Sequence, residues 1–114
     1  MKAELEKLFA DYVDLPLECD GLTRVLSYLL DKSHISHRVM EGSVSVGKKT
    51  MDPHFWIEMP DGRIVDYRAR MWLGKSSKVP HGIFKPDDFP EATYEGSQIQ
   101  MRTGDFVFKM LTMR

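Results

Sequence analysis

Residues 17–30, LECDGLTRVLSYLL, constrain the fold more than any other part of the chain. Leu22, Val25, Leu26, Leu29 and Leu30 recur at three- and four-residue spacing, opposed by Thr23, Arg24, Ser27 and Asp31. This pattern predicts an amphipathic helix over residues 20–32 whose apolar stripe must be buried. Cys19, the single cysteine, falls at its first turn. A thiol in that position lies at the positive end of the helix macrodipole, which favours the nucleophilic thiolate; elsewhere in a core a lone cysteine is usually a small hydrophobe. Gly21 is a poor helix-interior residue, and in the first turn it is expected to leave open space beside the thiol.

The remaining elements follow from periodicity and punctuation. Leu5, Leu8, Phe9 and Tyr12 predict a helix over residues 3–13, ended by Pro16 and the restriction it places on Leu15. Residues 38–46 alternate as a strand, and 47–53, with Gly47 and Pro53, read as a loop. His54-Phe55-Trp56-Ile57-Glu58-Met59 and Ile64-Val65-Asp66-Tyr67-Arg68 flank Asp61-Gly62, a strong hairpin signal. Its register matters. A two-residue loop puts His54 and Asp66 on opposite faces, whereas a loop of residues 60–62 sets Asp66 opposite Trp56 and diagonal to His54, within reach on one face. Residues 75–97 read as an irregular, aromatic-containing segment, simply packed on the core in preference to wrapping it or forming the lip of a groove. Residues 98–102 and 105–111 read as a final hairpin around Thr103-Gly104, with Phe106, Phe108 and Met110 on one face.

Composition narrows the class. A chain of 114 residues, 42% of them hydrophobic, suits one domain spanning residues 1–114 with a single modest core. Sixteen basic and 17 acidic residues give a net charge of -1, so no extended basic field recommends a nucleic acid or an anionic membrane as partner. No apolar run approaches the roughly 20 residues of a membrane span. One cysteine forms no internal disulfide, and MKAELEKLFADY is no secretory leader, so a reducing, cytoplasmic setting is the default expectation. His34 and His37 lack the neighbours of a zinc site, and no cofactor is implied.

Thiol chemistry needs a nucleophile, a base to take its proton and a third group that orients the base. Cys19, His54 and Asp66 offer the three in chain order, on a helix, a strand and the returning hairpin arm. The sequence around them resembles the transglutaminase-like branch of the papain-like cysteine enzymes over residues 17–74. CDGLTRVLSYLLDKSHISHRVMEG is similar to the family's cysteine-bearing helix and the phrase after it, with Ile35-Ser36-His37-Arg38-Val39 standing for Ile-Pro-Ala-Arg-Val. His54-Phe55-Trp56-Ile57-Glu58 resembles its His-Ala-Trp-Val-Glu strand, and Asp61-Gly62-Arg63-Ile64-Val65-Asp66 its Asp-Gly-Arg return. Tyr67 and Arg68 stand where many relatives have Pro and Thr.

The resemblance implies an α+β fold of transglutaminase-like or papain-like type, with N-terminal helices packed on a small antiparallel β-sheet. It further implies a Cys19 nucleophile, a His54 base and an Asp66 orienter acting on a protein, peptide or other amide through an acyl-enzyme. Hydrolysis is expected over transfer, because nothing marks a second substrate site. The alternative is a catalytically silent domain of the same fold that binds a protein partner through residues 75–97. Trp56 either shields the imidazole from water or simply covers the sheet. With no upstream Gln for an oxyanion hole, the Cys19 backbone N–H is one donor candidate, although Glu18 beside it opposes a thiolate electrostatically.

Overall fold

The computed structural model describes residues Met1 to Met113. They form an α+β structure of four α-helices and a five-stranded antiparallel sheet. The elements are α1 (Lys2–Phe9), α2 (Cys19–Lys32), β1 (Arg38–Val46), β2 (Lys49–Glu58), β3 (Ile64–Asp66), α3 (Ala69–Leu73), β4 (Gly82–Phe84), β5 (Ala92–Ile99) and α4 (Asp105–Leu111). The strand order is β4-β3-β2-β1-β5.

One face of the sheet carries Ile57, Val65 and Ile83 against Leu5 and Phe9 of α1 and Leu22, Leu26 and Leu30 of α2, the stripe the periodicity requires to be buried. Truncating one of these leucines to Ala costs about 2–5 kcal/mol in lost transfer energy and cavity formation. The opposite face carries Met40, Trp56, Ile64, Phe84 and Tyr94, and towards β1's C-terminal end Val44 and Met51 beneath Ala69 and Leu73 of α3.

Three expectations are corrected. Residues 47–53 are mostly strand: Gly47, at φ 60°, and Lys48 make a tight turn between Val46 and its partner Lys49, so β2 begins at once. Asp52-Pro53 is absorbed as a bulge, since Gly42 pairs with His54 but Val44 pairs with Met51, and a bulge tolerates a residue that has no N–H to donate. The segment 75–97 is not irregular throughout, for it contributes β4 and most of β5, the strand along β1's outer edge. Much of β5 is exposed, so it never shows the apolar alternation that would announce a strand. Finally, residues 105–111 form α4 and not a hairpin arm. DFVFKML satisfies both periods, and the helix wins because Phe108 stacks on Tyr28 of α2 at 4.0 Å and Asp105 accepts from the Tyr28 hydroxyl at 2.7 Å.

Two glycines set how closely β1 and β5 approach. Gly42 and Gly96 are directly paired, and a Cβ on Gly96 would lie 2.4 Å from the Glu41 carbonyl oxygen and 2.8 Å from the Trp56 ring. Trp56, 1% exposed, therefore lies across a floor that only glycine provides. Gly96→Ala is expected to destabilise the protein by about 1–3 kcal/mol through overpacking, read as a lower urea midpoint, with the Trp56 fluorescence maximum shifted in the native state.

Candidate functional site

The hairpin register brings His54 and Asp66 together. Ile57 pairs with Val65 and Glu58 with Ile64, while the Met59 N–H donates to the Arg63 carbonyl at 2.8 Å, so residues 60–62 form the loop. This is the register that sets Asp66 opposite Trp56, on the face of His54. The imidazole Nε2 is 2.7 Å from Asp66 Oδ2, and both side chains are buried, at 0% and 1% exposure.

β3 ends at Asp66 because the carboxylate redirects the chain. Asp66 Oδ1 accepts the backbone N–H groups of Arg68 at 3.0 Å and Ala69 at 3.1 Å, an Asx turn that opens α3. On the side away from β1, β2 is consequently left without a partner strand N-terminal to Ile57. Cys19, the first residue of α2, lies at this opening and shares a small cavity with Phe55, Ile57, Asp66 and Arg68.

The remaining imidazole nitrogen, Nδ1, is buried and makes no hydrogen bond among the described residues. The Cys19 sulfur stands outside hydrogen-bond geometry with it, yet close enough to act on the ring. Burial alone pushes the His54 pKa down; the hydrogen bond and charge of Asp66, together with the influence of Cys19, outweigh it and raise the value from 6.5 to about 9. The arrangement places the imidazole with a carboxylate on Nε2, an unpartnered Nδ1, and Cys19 acting on the ring from the start of α2. In chemical terms this is a nucleophile, a base and an orienter, and the unpartnered Nδ1 is the atom through which a proton could pass.

Two further residues, which sequence reasoning did not single out, position these groups. The Tyr94 hydroxyl, from β5, donates to Asp66 Oδ2 at 2.8 Å, so the carboxylate accepts four donors in all. Burial, with the Asp66 charge behind it, pushes the Tyr94 pKa up and keeps the phenol a donor. Arg68 is spent on carbonyls: Leu17 at 2.6 Å, Val13 at 2.8 Å, Leu15 at 2.9 Å and Tyr67 at 3.0 Å. It thereby ties the connection between α1 and α2, which delivers the chain to Cys19, to the residue after Tyr67. Desolvation lowers its pKa, opposed by the charges of Asp14, Asp66 and Cys19. The only sequence hint of Arg68 was its place where the resembled family has Thr; Tyr94 gave none.

Gly21 has a different surrounding from the one expected. A methyl there would meet the Leu17 side chain at 3.3 Å, so the glycine accommodates the incoming connection and does not open space at the thiol. The cavity at Cys19 measures about 10 Å³, room for one water at most, and Cys19 is 8% exposed. The roomier concavities lie elsewhere on the surface. Trp56 lies beside the imidazole, ring centres 6.1 Å apart, and covers the sheet as well. His37 is occupied in joining α2 to the start of β1, with Ser27 Oγ at 2.7 Å from Nε2 and the Ile35 carbonyl at 3.0 Å from Nδ1. Among the described residues no group of three or more His, Cys, Asp or Glu side chains is gathered for a metal ion, and no helix is long and apolar enough to cross a membrane.

The chain matches no family model, no curated protein and no solved structure.

The raised His54 pKa has a defined consequence for stability. The folded state holds this proton more tightly than the unfolded chain, so the contribution is complete below pH 6.5 and is lost as pH rises through about 9. Urea denaturation between pH 6 and 10 should show stability falling across that window, and His54→Gln should remove much of the slope. Tyr94→Phe should cost about 1–3 kcal/mol at pH 7, because Asp66 stays buried with one donor fewer.

Proposed function

We propose that this protein is a small cysteine-dependent acyl-transfer enzyme, a hydrolase of amide bonds with Cys19 as nucleophile, His54 as general base and acid, and Asp66 as orienter. The observation that carries the reading is the buried 2.7 Å contact of His54 Nε2 with Asp66 Oδ2, with Cys19 acting on the same ring from the helix start. The transglutaminase-like resemblance supports it through the order of elements: a cysteine opening a helix, then a histidine and an aspartate on antiparallel strands.

In this reading His54 Nδ1 takes the Cys19 thiol proton as the sulfur attacks the amide carbon, and then passes it to the departing amine as the C–N bond breaks, leaving a thioester. His54 then takes a proton from water, which attacks the thioester carbon, and returns it to the sulfur as the C–S bond breaks, releasing the acid and the thiol. Asp66 stabilises the imidazolium and fixes the ring, and Tyr94 and the two backbone N–H groups keep its carboxylate in place. In the first turn of α2, where backbone N–H groups have no intrahelical acceptor, the Cys19 N–H is a donor for the developing oxyanion. Glu18, at the N-cap with no side-chain capping bond, adds a negative charge that works against a thiolate.

A second reading rests on the near closure of the site. With about 10 Å³ beside Cys19, an amide reaches the sulfur only if the surrounding side chains move. That favours a catalytically silent domain of the same fold acting as a protein-binding module.

Alkylation separates the two. For the enzyme, iodoacetamide should modify Cys19 well below pH 8, Asp66→Asn should slow this at least about tenfold at pH 6.5, and Cys19→Ala should abolish amide hydrolysis while the urea midpoint changes little. Slow labelling with an ordinary thiol pH profile, unchanged in Asp66→Asn, would sink the catalytic reading and leave the binding module.

A further inference from the structure

On the Trp56 face, away from Cys19, lies a cavity of about 180 Å³. Its walls are Phe84, Phe89, Tyr94, Ile64 and Ala92, and the only ionisable side chain besides the tyrosine is Glu58. The aromatic rings stand at angles to one another: Phe84 and Phe89 at 5.1 Å and 80°, Phe84 and Tyr94 at 6.1 Å and 43°. Phe84, Phe89 and Tyr94 thus line one space with their rings inclined to one another. The Tyr94 hydroxyl points away to Asp66, so its ring and not its oxygen serves the cavity.

Glu58 makes one ion pair, Oε1 to the Arg38 guanidinium at 2.9 Å, with the arginine 54% and the glutamate 26% exposed. Oε2 has no partner among the described residues. The exposed turn beside the cavity, between Pro86 and Phe89, adds the carboxylates of Asp87 and Asp88 against the single ammonium of Lys85.

Three aromatic rings and a carboxylate lining one cavity suit a cation that is weakly hydrated and apolar on its surface. The volume is below the roughly 300–1,000 Å³ that encloses a whole drug-sized molecule, so it takes a head group. We propose that this cavity binds an alkylated ammonium head group, held by the faces of Phe84, Phe89 and Tyr94 and by Glu58. A primary ammonium suits it less, because it would leave N–H donors unmet against three hydrocarbon walls. Arg38 is the competitor for Glu58, and an exposed pair of this kind is weak enough to yield. The binding is independent of the chemistry at Cys19.

The test is titration of the full chain with choline and with its neutral isostere 3,3-dimethylbutan-1-ol, followed by NMR shifts of the aromatic protons. Choline should saturate and bind at least about fivefold more tightly than the alcohol. Glu58→Gln should weaken choline severalfold and leave the alcohol unaffected, and Arg38→Gln should tighten choline. Phe89→Leu, which keeps apolar bulk and loses the π face, should weaken choline selectively, and Cys19→Ala should leave it unaltered. Equal affinity for charged and neutral probes, no saturable binding of choline, or choline binding indifferent to Glu58→Gln and Phe89→Leu would each overturn the proposal.

Discussion

The Asp66 carboxylate is the group on which the arrangement around it depends. It has 3% exposure as a residue, and a buried carboxylate is tolerated only where donors replace its hydration. Those donors come from three separate parts of the chain: His54 of β2, Tyr94 of β5, and the N–H groups of Arg68 and Ala69 that open α3. Satisfying one charge thus fixes where β3 stops, how α3 begins, which rotamer His54 adopts and how closely β5 approaches. The same donors keep the anion in place opposite the imidazole, so what holds the fold there also orients the ring.

The elements that were legible in the sequence are those whose burial is one-sided and whose period is unambiguous. The leucine stripe of α2 and the Asp61-Gly62 hairpin are of this kind, and the hairpin pattern reduces the His54–Asp66 relation to a choice of loop length that the Met59–Arg63 hydrogen bond resolves. What stayed hidden has particular causes. β5 is an edge strand with few buried residues, so Tyr94 stood in what looked like loop. α4 is seven residues long and fits either period, and only the stacking of Phe108 on Tyr28 selects the helix. Arg68 bonds backbone carbonyls of residues 13, 15 and 17, and carbonyls carry no sequence signature at all.

Arg68 illustrates how the chain reconciles a tight connection with a charged side chain. Three carbonyls of the link between α1 and α2 point at one guanidinium, whose fixed fork of donors matches them as a lysine could not. The link carries Leu17, which packs against Gly21, and ends one residue before Cys19. Placement of the thiol therefore depends on a residue almost fifty positions further along the chain, itself adjacent to the turn that Asp66 caps.

The bulge at Asp52-Pro53 acts on the parity of β2. Side chains alternate along a strand, so Met51 and His54, three apart, would lie on opposite faces of an unbroken one. With the extra residue both share the face of Val44 and Gly42. The strand can then give Met51 to the packing under α3 and His54 to Asp66 without either losing its place. The parity of this segment is consequently more constrained than its identity. Loss of one residue from 52–53 would remove the bulge and leave Met51 and His54 two apart, still on one face, whereas loss of both would make them neighbours and force one half of the strand to turn its buried face outward.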